Sequence, residues 1–350
     1  MGQLVSTQYP SSGPTFTYTY DPMGRPVKLT DNRATPVDWV KDVVYNAAGQ
    51  ITEMKSVHNL DYPDSPVYRN EHRTYNVLGQ VTHMHVDNQS NVLNRTYTYS
   101  ATQNDGRIET MVDAVSGETV QYQYDSLKRL ISAQTTGTQW GQSFTYDGFG
   151  NLLAQTVTKG TAPSLSVLVS GTTNRISSAG YSYDANGNLT AAPGLAMSYD
   201  IENRMVSATS STGTEYYSYG PSNERVWKRI EYPGGFGINF FYFYGVDGAL
   251  LTTNGIDEDW DYNVYFAGRQ VWRENTQFNW SMPPMPVSPD RLGSTVKHFP
   301  YGDEPTTTAP NREKFATYYR DEVTALDYAR NRYYSSTIAR FTTADPYAGS

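Results

Sequence analysis

The sequence predicts an all-β protein in which β-hairpin repeats join into a curled sheet. Composition is the first reason: tyrosine occurs 30 times and glycine 28 times in 350 residues, whereas charged residues make up only 18% of the chain. Tyrosine favours strands and combines an apolar ring with a polar hydroxyl, and the low charge argues against long solvated helices. The second reason is strand-type alternation ahead of turn residues, as in the run Phe16–Tyr20.

The third reason is an internal repeat of the form Tyr-(Asp/Asn)-x-x-Gly, followed by a polar and then an apolar residue. Five clear copies are Tyr20–Pro26, Tyr45–Ile51, Tyr75–Val81, Tyr146–Leu152 and Tyr183–Leu189. The Asp or Asn starts a turn through its own side chain, and the glycine supplies the positive φ that closes it. We therefore predict five structural pairs of turn residues: Tyr20 and Gly24, Tyr45 and Gly49, Tyr75 and Gly79, Tyr146 and Gly150, and Tyr183 and Gly187.

Weaker copies of the repeat begin at Tyr99, Tyr124, Tyr199 and Tyr219. In the last two, Asn203 and Asn223 stand in place of the glycine, and asparagine is the next-best residue for a left-handed turn. Lys128 stands there in the Tyr124 copy and predicts a turn that is built differently. Because one hairpin cannot bury a core, each unit must pair with its neighbours, and a long single-layer sheet curls.

Composition and motifs also exclude several function classes. The net charge of −8 and the absence of a basic stripe argue against a nucleic-acid partner. No cysteine, signal-peptide pattern or membrane-length apolar run occurs, and no cofactor is expected. His83 and His85 share a predicted strand face, but no third ligand is evident, so no metal site is predicted. Aromatic and basic residues interleave from Tyr216 to Arg229, a pattern that fits stacking on bases or sugars as well as ordinary cross-strand pairs.

The C-terminal part changes in character. Residues 233–289 are rich in aromatic residues, glycine and proline, and the runs 240–244 and 262–266 predict buried strands. The short motifs that follow are Asp-Arg-Leu-Gly-Ser-Thr at 290–295, Phe-Pro-Tyr-Gly-Asp-Glu at 299–304, Tyr-Arg-Asp at 319–321, Leu-Asp-Tyr-Ala-Arg at 326–330, Arg-Tyr-Tyr at 332–334, Ala-Arg-Phe at 339–341 and Asp-Pro at 345–346.

In this order the motifs resemble the Rhs repeat-associated core region. The tyrosine repeats resemble the YD repeats of the Rhs/YD-repeat family, which includes teneurins and the B and C components of insecticidal toxin complexes. The match departs from the family pattern in three places: Ala325 and Ala339 stand where glycine is usual, and Ser335-Ser336 stands where Asp-Pro is usual.

The resemblance implies a spiral of repeats that forms a hollow shell, with the core region plugging one end. It also implies aspartyl self-cleavage that releases a variable C-terminal toxin. Such chemistry needs two close carboxylates sharing one proton. The matching motifs make Asp321 and Asp345 the catalytic candidates, with Arg320 as an electrostatic partner and Asp327 as a weaker choice. A structural alternative stays open, in which these carboxylates only form ion pairs with the neighbouring arginines.

The predicted organisation is a lead-in at 1–14 that marks a fragment boundary, a repeat array at 15–232, aromatic strands with a proline-rich connector at 233–289, and a core region at 290–350 that stops before the cleavage point and the toxin. The predicted function is a structural shell that encapsulates or displays a C-terminal toxin in an exported bacterial competition protein. That protein would be secreted or at the cell surface, with a secretion-system or surface partner.

Two alternatives to the shell remain at this stage. One is the self-cleaving aspartyl core itself, which would be incomplete in this chain. The other is a surface adhesin that binds carbohydrate through exposed aromatic residues, with four tryptophans as candidates: Trp140, Trp227, Trp260 and Trp272.

Overall fold

A computed structural model describes residues 3–10, 13–59, 66–88, 91–255, 260–275 and 285–345. Within these ranges the regular structure is β-strand, apart from one 3-10 turn at Ser336–Ile338, and the all-β prediction is confirmed. None of these ranges contains a helix with the length and apolar character needed to cross a membrane.

The described ranges contain thirty strands, which follow one another in sequence order. They are β1 (Ser6–Gln8), β2 (Thr15–Tyr20), β3 (Pro26–Asp31), β4 (Asp38–Tyr45), β5 (Ile51–Asn59), β6 (Val67–Tyr75), β7 (Val81–Asp87), β8 (Asn91–Tyr99), β9 (Ile108–Asp113), β10 (Glu118–Tyr124), β11 (Leu130–Thr135), β12 (Trp140–Tyr146), β13 (Leu152–Gly160), β14 (Leu165–Ser166), β15 (Ser182–Tyr183), β16 (Leu189–Ala192), β17 (Leu195–Tyr199), β18 (Met205–Ser210), β19 (Gly213–Tyr219), β20 (Arg225–Glu231), β21 (Gly237–Tyr244), β22 (Leu250–Asn254), β23 (Trp260–Phe266), β24 (Arg269–Asn275), β25 (Met285–Pro286), β26 (Arg312–Glu313), β27 (Tyr319–Arg320), β28 (Asp327–Tyr328), β29 (Tyr333–Ser335) and β30 (Arg340–Phe341).

The first of two compact units comprises residues 1–119 and 242–291. In it, β1 to β9 and β22 to β25 pair with their sequence neighbours in antiparallel fashion. Its core joins the two runs of strands: the rings of Trp39 on β4 and Trp272 on β24 meet edge to face at 5.0 Å, and Phe16 packs on Trp39 at 5.5 Å. Aromatic side chains at strand positions thus contribute large buried surfaces to the core of this unit.

The second unit comprises residues 120–241 and 292–350. Here β10 to β14, β15 to β21 and β26 to β30 form three sequential antiparallel runs. The C-terminal segment packs directly on the repeat strands. Trp140 meets Phe299 at 5.2 Å between ring centres, and the Tyr146 and Tyr301 hydroxyls lie 2.6 Å apart.

Burial of the two aromatic runs differs from the prediction in one case. On β23, Val264 and Phe266 are buried, as predicted. A strand is present at 240–244, as predicted, but the prediction that it is buried is wrong, because Tyr242 is buried whereas Phe241 is 45% exposed on the other face of β21. Continuous apolar sequence indicates a strand, but it does not reveal that one of its faces meets solvent.

The repeat turns share one geometry. In the first copy the Asp21 amide donates to the Arg25 carbonyl at 3.0 Å, and the Gly24 amide donates to the Asp21 carbonyl at 2.9 Å. The Asp21 carboxylate also accepts from the Met23 and Arg25 amides at 2.9 Å. The same pair of backbone bonds closes the turns at Asn46, Asn76, Asp125, Asp147, Asp184, Asp200 and Gly220.

The residue that closes each turn has a positive φ. This holds for Gly24, Gly49, Gly79, Gly150 and Gly187, and also for Asn203 and Asn223. Lys128 adopts φ 67° and its amide donates to the Asp125 carbonyl at 2.9 Å, so the prediction of a different turn there is wrong. A lysine occupies the left-handed conformation at an energetic cost that the surrounding turn bonds offset.

Replacing Lys128 with glycine is therefore expected to stabilise the protein by roughly 0.5–1 kcal/mol, because it relieves left-handed strain at an exposed position. The matched control is Gly49→Ala. An added Cβ there meets no atom within 4 Å, yet φ is +77°, so a loss of about 1 kcal/mol is expected from backbone strain alone. Urea unfolding measures both, and equal effects of the two changes would contradict this explanation.

Candidate functional site

In six of the described repeats, the tyrosine contacts the preceding repeat through its hydroxyl group. Tyr45 donates to the Pro26 carbonyl at 2.6 Å, and Tyr75 donates to the Ile51 carbonyl at 2.8 Å. The same contact joins Tyr99 to Val81, Tyr146 to Leu130, Tyr199 to Leu189 and Tyr219 to Met205. In all six, the acceptor is the first residue of a return strand. Tyr183 differs, because its hydroxyl accepts from the Ile176 amide at 3.1 Å.

The residue after the turn glycine contacts the following repeat. Arg25 pairs with Asp21 of its own turn at 2.7 Å and lies 4.5 Å over the ring of Tyr45 in the next repeat. Arg129 and Arg204 do the same with Tyr146 and Tyr219. Where glutamine occupies this position, its amide donates onward instead, as Gln50 does to the Gly79 carbonyl at 2.8 Å. The repeat sequence therefore encodes contacts between repeats as well as turns.

Replacing Tyr75 with phenylalanine is expected to lower the free energy of unfolding by about 1 kcal/mol, because the ring stays but one half-buried hydrogen bond to Ile51 is lost. Tyr216→Phe is the control: that ring is 38% exposed on a strand face, and a change below about 0.5 kcal/mol is expected. Chemical denaturation measures both values. The hydroxyl contact has no energetic role if the two variants are equally stable.

A group of four buried charged side chains lies in the second unit. This ion network consists of Glu215 on β19, Arg225 and Lys228 on β20, and Asp321 directly after β27. The side chains of all four are fully excluded from solvent. Charged side chains are rarely buried unless they are paired with opposite charges. The burial of these four therefore indicates either a structural role or a chemical one.

The ion network is closely paired. An Arg225 Nη1 lies 2.6 Å from one oxygen of Asp321, and the Lys228 Nζ lies 2.9 Å from the other. Lys228 also lies 3.4 Å from Glu215 and donates to the Asn311 amide oxygen at 2.7 Å. Each oxygen of the Asp321 carboxylate thus has its own cation partner.

Arg225 is enclosed by aromatic rings. Its guanidinium lies 4.5 to 5.9 Å from the ring centres of Tyr217, Tyr319, Tyr328 and Tyr333. Its backbone amide donates to the Tyr328 hydroxyl at 2.6 Å. Cation–π contacts add attraction that water does not screen. One residue of a repeat strand is thereby bonded to three strands of the C-terminal segment.

A second set of charges lies around Arg320. Its guanidinium donates two bonds to Asp327, at 2.8 and 2.6 Å, and also contacts Glu304 at 3.2 Å. Glu304 pairs in turn with Lys314 at 2.6 Å. Asp303 accepts from the Ser336 hydroxyl at 2.8 Å.

Burial changes the acidity of several of these groups. It raises the pKa of Asp327 and of Asp303, although Arg320 opposes it in both cases. Burial alone would lower the pKa of Lys228, but the Asp321 and Glu215 carboxylates raise it above its ordinary value, and the amine keeps its proton. The pKa of Glu304 is lowered despite burial, because Lys314 and Thr308 bond to the carboxylate.

The three catalytic candidates occupy different settings. Asp321 belongs to the ion network, and Arg320 pairs with Asp327. The Asp345 side chain is 48% exposed and lies 3.1 Å from Arg332. Pro346, the second half of the predicted Asp-Pro motif, lies outside the described residues. The assignment of Asp321 and Asp345 as a dyad therefore stays a prediction.

Sequence reasoning missed most of this site. Glu215, Arg225 and Lys228 lie in an ordinary alternating repeat strand, and their partner Asp321 is about a hundred residues away in the sequence. Glu304 and Lys314 were likewise not singled out as partners of Arg320. Spacing within a strand gives no signal for a pairing of this kind, which only the packing of two segments creates.

The other candidate residues have ordinary contacts. Trp140 and Trp272 are buried, and Trp260 stacks near Tyr262, whereas Trp227 is half-exposed on the face of β20. His83 bonds to the Asn94 side chain at 2.9 Å. Among the residues that the structure describes, no group of three or more histidine, cysteine or acidic side chains is arranged to hold a metal ion.

Known proteins share the repeats described above. The sequence profile of the Teneurin YD-shell family matches residues 71–247, and that of the RHS Repeat matches residues 2–36. A curated relative, the tRNA3(Ser)-specific nuclease WapA of Bacillus spizizenii, is 27% identical over 228 residues, and the tRNA nuclease WapA of Bacillus subtilis is 26% identical over 228 residues. Each match covers 59% of this chain and 10% of the relative.

Solved structures share the fold. The crystal structure of TcdB2-TccC3-Cdc42 superposes with a TM-score of 0.76 at 18% identity, over 95% of this chain and 19% of that one. TcdB2-TccC3 without its hypervariable C-terminal region gives the same score and coverage. The chain thus spans about a tenth of the curated relatives and a fifth of the solved chains.

Proposed function

We propose that this chain, which belongs to the teneurin YD-shell family, forms part of a rigid wall around a toxin carried on the same polypeptide. The observation that carries the proposal is the series of tyrosine contacts from one repeat to the next. The relatives support it. The WapA proteins are named as tRNA nucleases, one structure that contains TccC3 is named as a Tc holotoxin pore of Photorhabdus luminescens, and another is named as TcdB2-TccC3 without its hypervariable C-terminal region.

A wall of this kind needs stiffness without a thick core. In six repeats a tyrosine hydroxyl bonds to the preceding repeat, and in several copies an arginine or glutamine also contacts the following repeat. These contacts add to strand pairing, so bending between such repeats would strain several bonds at once. The C-terminal segment is bonded to the repeat strands through the ion network, which suits a segment that acts as a plug.

The proposal also includes export of the parent protein. The WapA relatives are named as nucleases that act on tRNA, and a producing cell must be shielded from such an activity. We propose that the parent protein is secreted or displayed at the cell surface in competition between bacteria, with the shell keeping its own toxin away from the producer.

The test uses the complete polypeptide that the gene encodes. The segment that follows residue 350 is expected to resist added protease in the complete protein and to be digested rapidly when it is produced alone. Phenylalanine at Tyr45, Tyr75 and Tyr146 together is expected to weaken that protection. A downstream segment that is digested equally fast in both forms, or a gene without such a segment, would contradict the proposal.

Self-cleavage is a second candidate function. It is favoured by two carboxyl groups near Arg320, those of Asp303 and Asp327, whose pKa is raised by burial. A raised pKa shifts a carboxyl group towards the protonated form that a general acid needs. The complete gene product is expected to show a new N-terminus beyond residue 350. Asp303→Asn and Asp327→Asn, like the motif-based changes Asp321→Asn and Asp345→Asn, are each expected to abolish it. An intact, folded product that shows no cleavage would rule out this activity.

A further inference from the structure

The amine of Lys228 lies against a side-chain amide beside the ion network. Its Nζ is 2.7 Å from the Oδ1 of Asn311, which lies directly before β26 and 83 residues further along the chain. Because a carbonyl bond is about 1.2 Å long, this distance places Nζ about 3.5 Å from the Asn311 Cγ. Atoms that are poised to form a bond lie about 3 to 3.5 Å apart. The amine is therefore within reach of an electrophilic carbon as well as of its ion-pair partners.

The amine is enclosed, whereas the amide lies closer to solvent. The Lys228 side chain is fully buried, and its Nζ lies 5.0 Å from the ring centre of Phe240 and 5.7 Å from that of Tyr319. Burial makes separate charges expensive, so a neutral amine beside a neutral acid is closer in energy to the ion pair here than in water. Asn311 is half-buried, and its Nδ2 donates to the exposed Glu322 at 2.8 Å. A group that leaves from Cγ therefore departs on the side that faces solvent.

Two carboxylates contact this amine, and they differ in their other partners. Asp321 lies 2.9 Å from Nζ, but its second oxygen pairs with Arg225, so a proton on Asp321 would leave a buried guanidinium without its counter-charge. Glu215 lies 3.4 Å from Nζ. Among the described residues, its other bonds come from neutral groups such as the Thr324 hydroxyl at 2.8 Å. Glu215 can therefore take a proton without breaking a second ion pair.

We propose that Lys228 and Asn311 become joined by an intramolecular amide bond. One Nζ proton passes to the Glu215 carboxylate and stays there. The neutral amine attacks the Asn311 Cγ, a second Nζ proton passes to Nδ2, and the bond between Cγ and Nδ2 breaks to release ammonia. Lys228 and Glu215 both become neutral, while Arg225 and Asp321 stay paired. The buried group thus carries no net charge before or after the reaction.

The bond would fasten the C-terminal segment to the repeat array. It ties β20 to the residue before β26, in a chain that has no cysteine and so forms no disulfide. The resting amine is protonated, so the reaction proceeds through the small fraction of molecules in which Glu215 holds the proton. The bond therefore forms after folding has brought the three side chains together. It is independent of the toxin shell, and either proposal can hold without the other.

Mass spectrometry of the purified, denatured 350-residue chain tests the inference. The protein is expected to weigh less than its sequence by one ammonia molecule. Trypsin is expected to release one branched peptide that contains both Lys228 and Asn311, because it does not cut after a lysine whose amine is acylated. On a denaturing gel the cross-linked chain is expected to migrate faster than a variant without the bond, because a closed loop makes the unfolded chain more compact.

Four variants locate the bond and the proton acceptor. Lys228→Met and Asn311→Ala are each expected to have the full mass of their sequences. Asn311→Ala is the more informative, because it keeps all four charges of the ion network and removes only a half-buried side chain. Glu215→Gln is expected to keep its full mass as well, because a glutamine amide is not a base at neutral pH. Lys159→Ala is the control and is expected to retain the bond, because the Lys159 amine donates to the backbone carbonyl of Thr135 in the same unit.

Circular dichroism and thermal melting establish that each variant folds. The inference is overturned if the unchanged protein has its full sequence mass, or if Asn311→Ala still loses ammonia. It is also overturned if peptide mapping places the loss away from Lys228, or if one water molecule is lost and Lys228 is joined to Asp321. A folded Glu215→Gln variant that is still cross-linked contradicts the proton transfer to Glu215.

Discussion

Replacement of Arg225 with alanine is expected to lower the free energy of unfolding by about 3–5 kcal/mol. The change leaves the buried Asp321 carboxylate with only Lys228 as a cation and empties the space between four tyrosine rings. Losing one partner of a buried ion pair is costly because the remaining charge cannot regain its water. Urea unfolding of both proteins, with the slope of the transition compared, measures the effect.

Arg229→Ala is the matched control on the same strand. Arg229 pairs with Glu231 at a similar distance, but both side chains are more than one-third exposed, so its loss is expected to cost less than about 1 kcal/mol. The double replacement Arg225→Met with Asp321→Leu is expected to cost less than the sum of the two single changes, because it removes both members of the pair. Equal losses for Arg225→Ala and Arg229→Ala would show that the ion network does not hold the two segments together.

Alkaline pH is expected to unfold the protein steeply, starting near the ordinary pKa of tyrosine, about 10. Burial raises the pKa of many tyrosines. It raises the pKa of Tyr18 to about 12, and it raises that of Tyr217 and Tyr333 well above the ordinary value. Burial also raises the pKa of Tyr9, Tyr146, Tyr199, Tyr219 and Tyr334.

The direction follows from proton linkage. A folded-state pKa above the unfolded one gives stability that is complete below the unfolded pKa and is lost as pH rises towards the folded one. Each such buried tyrosine removes up to ~1.4 kcal/mol of stability per pH unit above about pH 10. Several acting together exceed the total stability of an ordinary domain within one or two pH units.

Urea unfolding at neutral pH and at a series of values above pH 9 measures this loss, and phenolate absorbance reports ionisation in parallel. Tyr217→Phe with Tyr333→Phe is expected to make the loss of stability with pH less steep. Phenolate formation that precedes unfolding would contradict the burial of these hydroxyl groups.

Much of the fold could be predicted from the sequence because the repeat carries its own local chemistry. Asp21 bonds the backbone of its own turn, and Gly24 adopts the conformation that the turn needs. These interactions span four residues and depend little on context. Lys128 shows where such reasoning fails. Its residue type disfavours a positive φ, but the hydrogen bonds of the surrounding turn hold it in that conformation.

The candidate site could be predicted only in part. Asp321 stands out through its motif, but nothing local to Arg225 or Lys228 distinguishes them from exposed basic residues such as Arg229 on the same strand. Their burial depends on a segment about ninety residues further along the chain. The tyrosine hydroxyl contacts could be predicted in part. The sequence shows the tyrosine that precedes each turn, but its acceptor in the preceding repeat can be identified only once the strand register is known.

The most direct test of the shell is electron cryomicroscopy of the complete gene product. We expect density in which the repeat strands continue as a wall around an enclosed space, with the segment beyond residue 350 inside it. A complete protein whose repeats form no enclosure, or whose downstream segment lies outside the wall, would contradict the proposed function.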